Sequence, residues 1–475
     1  MNFINKINPI FCRESHKPTQ TRASMSGFPF VTFVWFAVSF FFSCFYLSAQ
    51  TINLEQAREL ALANSRSLAR YELAIRSSVL DEKNQFYSML PQVSAGYSAS
   101  AYYLRDWGFV NPVDTFSAGL NLSISQIIFR GGKSFIEKAI ASISTESVKL
   151  DAQSEYFNVL DFVDNAYYAV LESASSLEAE ESTLKTASLG LEIAEIRQRS
   201  GMINQGDYLK ALADKESREN SFNQSRRSHA LNITRFKNLT GITETPEFEK
   251  IAFSLYDDIL THLAGISDED ADFLLEKLRA IMEVSNLTLA KAQLNNQRAE
   301  KNYESTKRDY APTITAEIFS GGIGFSSPDR FNTPGGTGGV SLRGTIPVDF
   351  WVLKNRTEKN RIALDSSNID YVNSYNNVEQ ELQNALSAAY AQAGSVLSSR
   401  RSLEYTEKHI EFIMERYRLS QASVSDLNEA TTLFINSRNS LNRASYSFLQ
   451  SLSKLRFLLA LDDENKLISL LLPQI

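Results

Sequence analysis

Few side chains in this 475-residue chain are arranged for covalent chemistry. The four histidines, His16, His229, His262 and His409, are scattered and lack metal-ligand spacing. Gly132-Lys133-Ser134 ends like a phosphate-binding loop, but position 127 is Ile where the opening glycine is required. No Gly-x-Ser-x-Gly occurs. Acids are plentiful, yet they fall on the polar faces of predicted helices, where a solvated surface is the default. These patterns argue against an enzyme, and neither a cofactor nor a metal is expected. What remains are charges beside two predicted helix breaks: Arg199, Gly201 and Asp207 at the first, Arg418, Ser420 and Asp426 at the second. A carboxylate where a helix restarts can cap it or complement its dipole, a contribution of about 0.5–2 kcal/mol. Repeated around an opening, the same carboxylates would form a cation-selective constriction. Arginines ending a helix complement its C-terminus; the alternatives are an ion-pair lock between neighbouring hairpins or contact with a partner.

The two breaks match because the chain repeats itself. The segment from Leu54 to Pro91 aligns without a gap on that from Leu275 to Pro312, an offset of 221 that still holds for Phe129/Phe350 and Lys133/Lys354. Further on the offset is 219: Val163, Val170, Leu177, Leu184 and Leu191 match Leu382, Ala389, Val396, Leu403 and Ile410, and Arg199 and Asp207 match Arg418 and Asp426. The seven-residue interval is that of a coiled-coil seam.

The elements follow from the periodicity. Residues 53–89 read as one helix with an apolar face, ended by Pro91. The pattern then alternates with period two over Val93–Tyr103 and again over Phe116–Ile124, which predicts an antiparallel β-hairpin over about 92–129. A soluble sheet with one buried face would give the same alternation. Strands of about 12 residues, a polar face of Ser, Gly and Asn, and the cluster Tyr102, Tyr103, Trp107, Phe109 and Phe116 near one end favour a membrane barrel with an aromatic girdle. The second copy repeats the hairpin over about 313–350, with Pro347 near a strand end. Long helical hairpins are expected over 134–240 and 355–461, their first arms about 100 Å long. Residues 241–266 read as a linker or a small side element, and the residues after 461 as a C-terminal tail.

The N-terminus differs from the rest. Lys6, Arg13, Lys17 and Arg22 precede an apolar run from Phe28 to Leu47, and Ser48-Ala49 then reads as a small-residue cleavage site. Residues 1–49 are therefore expected to be a secretory signal peptide, with a membrane anchor as the alternative and Met25 as a possible start. Both cysteines, Cys12 and Cys44, lie in this segment; lipidation at Cys44 would lack the usual Leu three positions back. Repeat 1 then covers 50–266 and repeat 2 covers 267–475. The net charge of −7, more negative still without the basic presequence, argues against nucleic acid as a partner.

Two hairpins supply four strands, too few to close a spanning barrel, and an open edge in lipid leaves backbone groups unpaired. At this point the chain resembles the TolC family of outer-membrane efflux proteins, over nearly all of the sequence after the presequence. The residues that carry the resemblance are the opening helix LEQARELALANS, the junction Met89-Leu90-Pro91-Gln92-Val93, the junction IIFRGGK from Ile127 to Lys133, and the tip RYRLSQASVSDL from Arg416 to Leu427. The resemblance implies a mainly α fold with a membrane β-barrel portion, in a homotrimer sharing a twelve-strand barrel and an α-helical tunnel. It implies a passive channel in the Gram-negative outer membrane, contacting its lipid, with the helical part in the periplasm. Its expected partners are a periplasmic adaptor (membrane fusion) protein and an inner-membrane pump of RND or ABC type, in tripartite efflux or type I secretion. Small toxic molecules or metal ions are the cargo it suggests. The glycine the family has at the second tip is Ser420 here, which puts the equivalence of the two tips in question. The competing reading is a structural or adhesive periplasmic coiled-coil protein without a channel.

Overall fold

The computed structural model describes residues 51–104, 113–326 and 335–472. A short strand, β1 (Thr51–Ile52), leads into α1 (Leu54–Asn64) and α2 (Arg66–Tyr87). The hairpin β2 (Gln92–Leu104) and β3 (Val113–Arg130) follows, then α3 (Lys133–Arg199) and α4 (Gln205–Thr240). Strand β4 (Glu247–Phe248), a 3₁₀ turn at Phe253–Tyr256 and α5 (Asp257–Ala264) join the repeats. The second copy comprises α6 (Asp268–Ser285), α7 (Leu287–Lys307), β5 (Thr313–Ser326), β6 (Gly335–Thr345), α8 (Phe350–Arg418), α9 (Val424–Leu458) and α10 (Glu464–Leu471).

Away from mid-height the long helices lie side by side in a layer one helix thick. Beside the sheet the order is α2, α3, α7, α8; toward the far end it is α4, α3, α9, α8. At 67 and 69 residues, α3 and α8 run the length of this body. The four long strands make one antiparallel sheet in the order β2-β3-β5-β6, so that the two hairpins meet at β3 and β5 and the outer edges of β2 and β6 stay unpaired among the described residues. Val93, Tyr97, Leu120, Leu122, Ile318, Val340 and Leu342 are exposed, and the register puts them on one face. No described helix is long and apolar enough to cross a membrane.

The structure departs from the sequence reading at definite places. The single helix expected over 53–89 is two, because the Ser65 hydroxyl accepts the Leu68 N–H and starts a new helix. Asn286, the same position in the second repeat, does likewise for Leu289 N–H at 3.1 Å. Apolar periodicity runs through both breaks, so only the capping residue marks them. Strand β6 ends at Thr345, which leaves Ile346 and Val348 outside the expected strand, because Pro347 has no N–H to give the ladder. Phe129 lies at the end of β3, one residue before its last, while its partner Phe350 opens α8. The cause is Gly131-Gly132, both left-handed at φ +59° and +78°, which hold off the helix in the first copy. In the linker, β4 pairs in parallel with β1, and α5 buries Ile259, Leu260 and Leu263. The C-terminal tail contains α10, which buries Leu467 and Leu471. The expected seam positions Leu177, Leu184 and Leu191 are only half-buried; the buried line is Ala179, Thr183, Ala187, Gly190 and Ala194, small residues that let the helices approach closely.

The main core lies at mid-height, where α1, α5, α6 and α10 wrap the two long helical hairpins. At its centre stands a carboxylate that sequence reasoning assigned to solvent. Asp164 on α3 is fully buried. Arg58 of α1 grips it with two bonds, Nε to Oδ1 at 2.6 Å and Nη2 to Oδ2 at 2.8 Å. On α9, Arg456 Nη2 (2.8 Å) and Ser453 Oγ (3.0 Å) donate to Oδ2. Glu464 of α10 lies 3.7 Å from Arg58 and accepts from the Tyr256 hydroxyl at 2.8 Å. Burial works against the Arg58 charge, but the hydrogen bond and charge of Asp164 outweigh it and raise its pKa. The buried Arg456 and the half-buried Arg58 thus balance two acids, and the cluster ties both repeats together. Removing one partner of such a cluster leaves charge buried and unpaired, at about 3–5 kcal/mol. Asp164→Ala is expected to lower unfolding stability by that amount in denaturant titrations of the detergent-solubilised protein; a loss below about 1 kcal/mol would contradict this role.

Candidate functional site at the helical tip

The two tip turns lie at the end of the helical body away from the sheet. In the first, α3 ends at Arg199, Gly201 takes φ +72°, and Met202 and Gly201 donate their N–H groups to the carbonyls of Arg197 (2.8 Å) and Gln198 (3.0 Å). In the second, α8 ends at Arg418 and Ser420 takes φ +61°; Gln421 and Ser420 donate to Arg416 (2.8 Å) and Tyr417 (3.1 Å). These are the same Schellman-type closures. Ser420 therefore does not reshape its turn: it adopts the left-handed geometry that Gly201 adopts freely, and as an L-residue it carries the strain.

Helix α4 restarts with the Asn204 side chain accepting the Asp207 N–H at 2.9 Å. Helix α9 restarts with a full capping box: the Ser423 hydroxyl accepts the Asp426 N–H at 3.2 Å, and Asp426 Oδ2 accepts the Ser423 N–H at 2.8 Å. The Ser423 backbone and hydroxyl bonds hold the Asp426 carboxyl below its usual range. Its contribution to the cap is thus present above the unfolded-state pKa and is lost as pH falls through the lower folded value. The Asp207 carboxylate takes no part in its cap; its neighbour is Lys210, at 3.9 Å. The two matched aspartates are chemically different.

Arg199 and Arg418 pair within their own helices, with Glu195 and with Glu415 (2.8 Å), and both are half or more exposed. The expectation that they lock neighbouring hairpins is not met in this protomer. The link between the hairpins is Arg197 with Tyr417. The Arg197 guanidinium sits 4.4 Å from the centre of the Tyr417 ring and also donates to the Tyr417 carbonyl. The Tyr417 hydroxyl donates to Gly190 O at 3.1 Å. Both side chains are buried, and Ile413, Val424, Leu427 and Ala430 surround them in a small apolar core. Burial pushes the Tyr417 pKa up, Arg197 opposes the shift, and Asp207 adds to it. The sequence carried a signal for this link: the offset of 219 maps Arg197 onto Arg416, which instead donates to its own turn at Gln421 O, 2.9 Å. One polar bond higher up continues the contact: Arg218 of α4, which lies 3.4 Å from Asp214 on its own helix, donates to Thr432 Oγ1 of α9 at 2.8 Å.

At the opposite end, Tyr102, Tyr103 and Phe116 occupy β2 and β3 in the part of the hairpin far from the helices. Trp107 and Phe109 lie outside the described residues.

The family model described as outer membrane efflux protein matches residues 57–241 and 280–461, both repeats and most of the chain. The chain belongs to this family. TolC, an outer membrane protein of Escherichia coli, is 20% identical over 446 residues, covering 89% of this chain and 85% of TolC. The outer membrane channel CmeC of Campylobacter jejuni superposes with a TM-score of 0.72 at 16% identity, over 88% of each chain. CusC gives 0.72 at 16% identity over 88% of this chain and 95% of its own. MtrE of Neisseria gonorrhoeae, in its open state, gives 0.66 at 16% identity, over 86% of this chain and 88% of its own.

This efflux protein is accordingly an outer-membrane channel component of a Gram-negative envelope, with its helical body in the periplasm. The family is a channel family rather than an enzyme family. A structural coiled-coil role without a channel is not favoured. The left-handed serine gives a direct check on the tip. Ser420→Gly is expected to stabilise the protein by about 1 kcal/mol, and Gly201→Ala to destabilise it by about as much. Thermal unfolding of the two variants measures both; a destabilising Ser420→Gly would contradict the strain assigned here.

Proposed function

We propose that three copies of this chain join edge to edge into one closed body: a twelve-strand barrel continued by a tunnel of long helices. The observation that carries this is the pair of unpaired edges, β2 and β6, on a sheet whose exposed face is apolar. The helices at the same edges are also incomplete. Leu73 and Leu80 on α2, and Ile362, Ile369 and Phe412 on α8, are more than half exposed. Charge supports the same pairing. Residues 220–240 of α4 include Arg226, Arg227, Arg235 and Lys237 and no acid, while residues 362–399 of α8 include no Lys or Arg and carry Asp365 and Asp370 beside Glu379 and Glu381, which pair with Arg279 and Lys454 of the same chain. Edges of opposite charge favour assembly of unlike edges, which closes a ring.

In that ring the tip is the gate and the contact surface for the periplasmic adaptor. Arg197 and Tyr417 hold the two hairpins of each protomer together, Asp207 is the carboxylate free to face the opening, and Arg199, Arg418 and the turns at Gly201 and Ser420 form the rim. Asp426 serves first as a cap. Tyr102, Tyr103, Trp107, Phe109 and Phe116 form the outer aromatic girdle, and residues 1–49 are the export signal. The channel conducts passively, and energy comes from an inner-membrane pump. Titratable enzyme chemistry has no place in this reading, and the cargo is what the pump delivers.

The test is single-channel recording in planar bilayers. The wild type is expected to pass a small cation-selective current, Arg197→Ala and Tyr417→Phe to raise it several-fold, and Asp207→Ala to weaken selectivity more than Asp426→Ala does. Inserted channels indifferent to all four changes would remove the gate from this tip. Failure of the folded protein to insert would overturn the channel reading.

A further inference from the structure

The four strands of the large sheet carry very few charges: Asp114, Arg130, Glu317 and Arg343 are their acids and bases among the described residues. Asp114 and Arg130 stand near the ends of β3, whereas Glu317 and Arg343 lie within the β5–β6 ladder. Residues directly opposite each other in a ladder share a face. Glu317 stands opposite Ser125 and Ser341, Phe319 opposite Ser123 and Gly339, and Arg343 opposite Thr315. Ser94 and Ser123 meet on this same face, with their hydroxyls 2.7 Å apart. The other face carries Val93, Leu122, Ile124, Ile318, Val340 and Leu342. In a spanning barrel the apolar face meets lipid and the polar face lines the lumen. Phe319 is therefore an aromatic residue on the wet wall.

Its posture is built in. A Cβ on Gly339 would come 3.0 Å from Phe319 Cζ and 3.3 Å from Cε1, so the absence of a side chain at 339 lets the ring lie against β6. Covering a glycine with a cross-strand aromatic supports a sheet. It also turns the ring broadside along the wall, where a passing molecule meets a π-face. Glu317 is two residues away on the same face, about 7 Å along the strand. Among the described residues no ion pair joins Glu317 to Arg343, so the carboxylate is not neutralised by the nearest base.

We propose that Glu317 and Phe319 form a transit site in the barrel lumen for cations with an apolar or aromatic body. The inference rests on the shared-barrel reading above, which repeats the site three times around the axis. The carboxylate attracts the charge, and the ring holds it by cation–π and apolar contact. Arg343 lies two pairs nearer the helical body, so an outward-moving cation leaves a repulsive ring before it reaches an attractive one.

The experiment uses the purified oligomer in planar bilayers, with tetraphenylphosphonium as probe and tetramethylammonium as the small control cation. Tetraphenylphosphonium is expected to reduce the current at concentrations where tetramethylammonium does not. Phe319→Leu, which keeps an apolar side chain, and Glu317→Gln are each expected to raise the blocking concentration about tenfold while the open current stays near wild type. Ile318→Leu, on the lipid face, should leave block unchanged. In chains without Cys12 and Cys44, a positively charged thiol reagent should reduce current through Phe319→Cys and not through Ile318→Cys. Conducting channels whose block is the same in wild type, Phe319→Leu and Glu317→Gln, or whose Cys at 319 stays unmodified, would overturn the site and leave the channel reading standing. No conductance from inserted wild-type protein would overturn the channel reading and the site with it.

Discussion

An unpaired β-edge in hydrocarbon has nowhere to place its N–H and C=O groups. The four-strand sheet of this protein has two such edges, on β2 and β6, and the rest of the molecule is arranged around that fact. The repeat supplies one hairpin per copy, and the two hairpins meet at β3 and β5 through an antiparallel ladder that shifts register at Leu120/Leu122 and Ile127/Phe129. Duplication therefore yields a wider sheet that is still open. The helices below it have the same property: α2, α4 and α8 sit at the borders of the helical layer and expose apolar residues that none of the described residues covers.

Because the layer is one helix thick away from mid-height, little of its length can be stabilised by a central core. Burial concentrates in two places, at mid-height and at the tip. The mid-height core is where elements from both ends of the described chain converge, and Asp164 with Arg58, Arg456 and Glu464 joins them by charge. A buried ion cluster is a poor source of net stability, but it penalises any packing that separates its members. Here it fixes α1 and α10 against both long hairpins. The tip core is smaller, and Arg197 with Tyr417 closes it by a stacked cation and a carbonyl bond. A strongly held middle and a lightly held tip are what a tube needs if only its end is to move.

The sequence disclosed the repeat, the hairpin alternation and the long helices because each is a periodic pattern extending over tens of residues. It concealed events carried by single residues. Ser65 and Asn286 break helices whose apolar stripe runs on uninterrupted, and Gly131-Gly132 delay α3 by four residues relative to α8. Asp164 looked like one acid among many, since its neighbours Asp161 and Glu172 do lie on less buried positions; its partners are 106 and 292 residues away in sequence. The tip arginines were found by type and offset, but the pair that bridges the hairpins lies at positions 197 and 417. The match of Gly201 to Ser420 in φ also shows that a missing glycine need not mean a different turn, because two well-placed backbone bonds can hold a serine in the same conformation.

The claim that open edges are closed by further copies is tested most directly by the mass of the folded protein in detergent, measured by native mass spectrometry after stripping the micelle. The account predicts a species of three chains, and its loss when proline replaces Ser341 in the ladder of the edge strand β6. A folded, membrane-inserted single chain that stays monomeric across the working concentration range would contradict it.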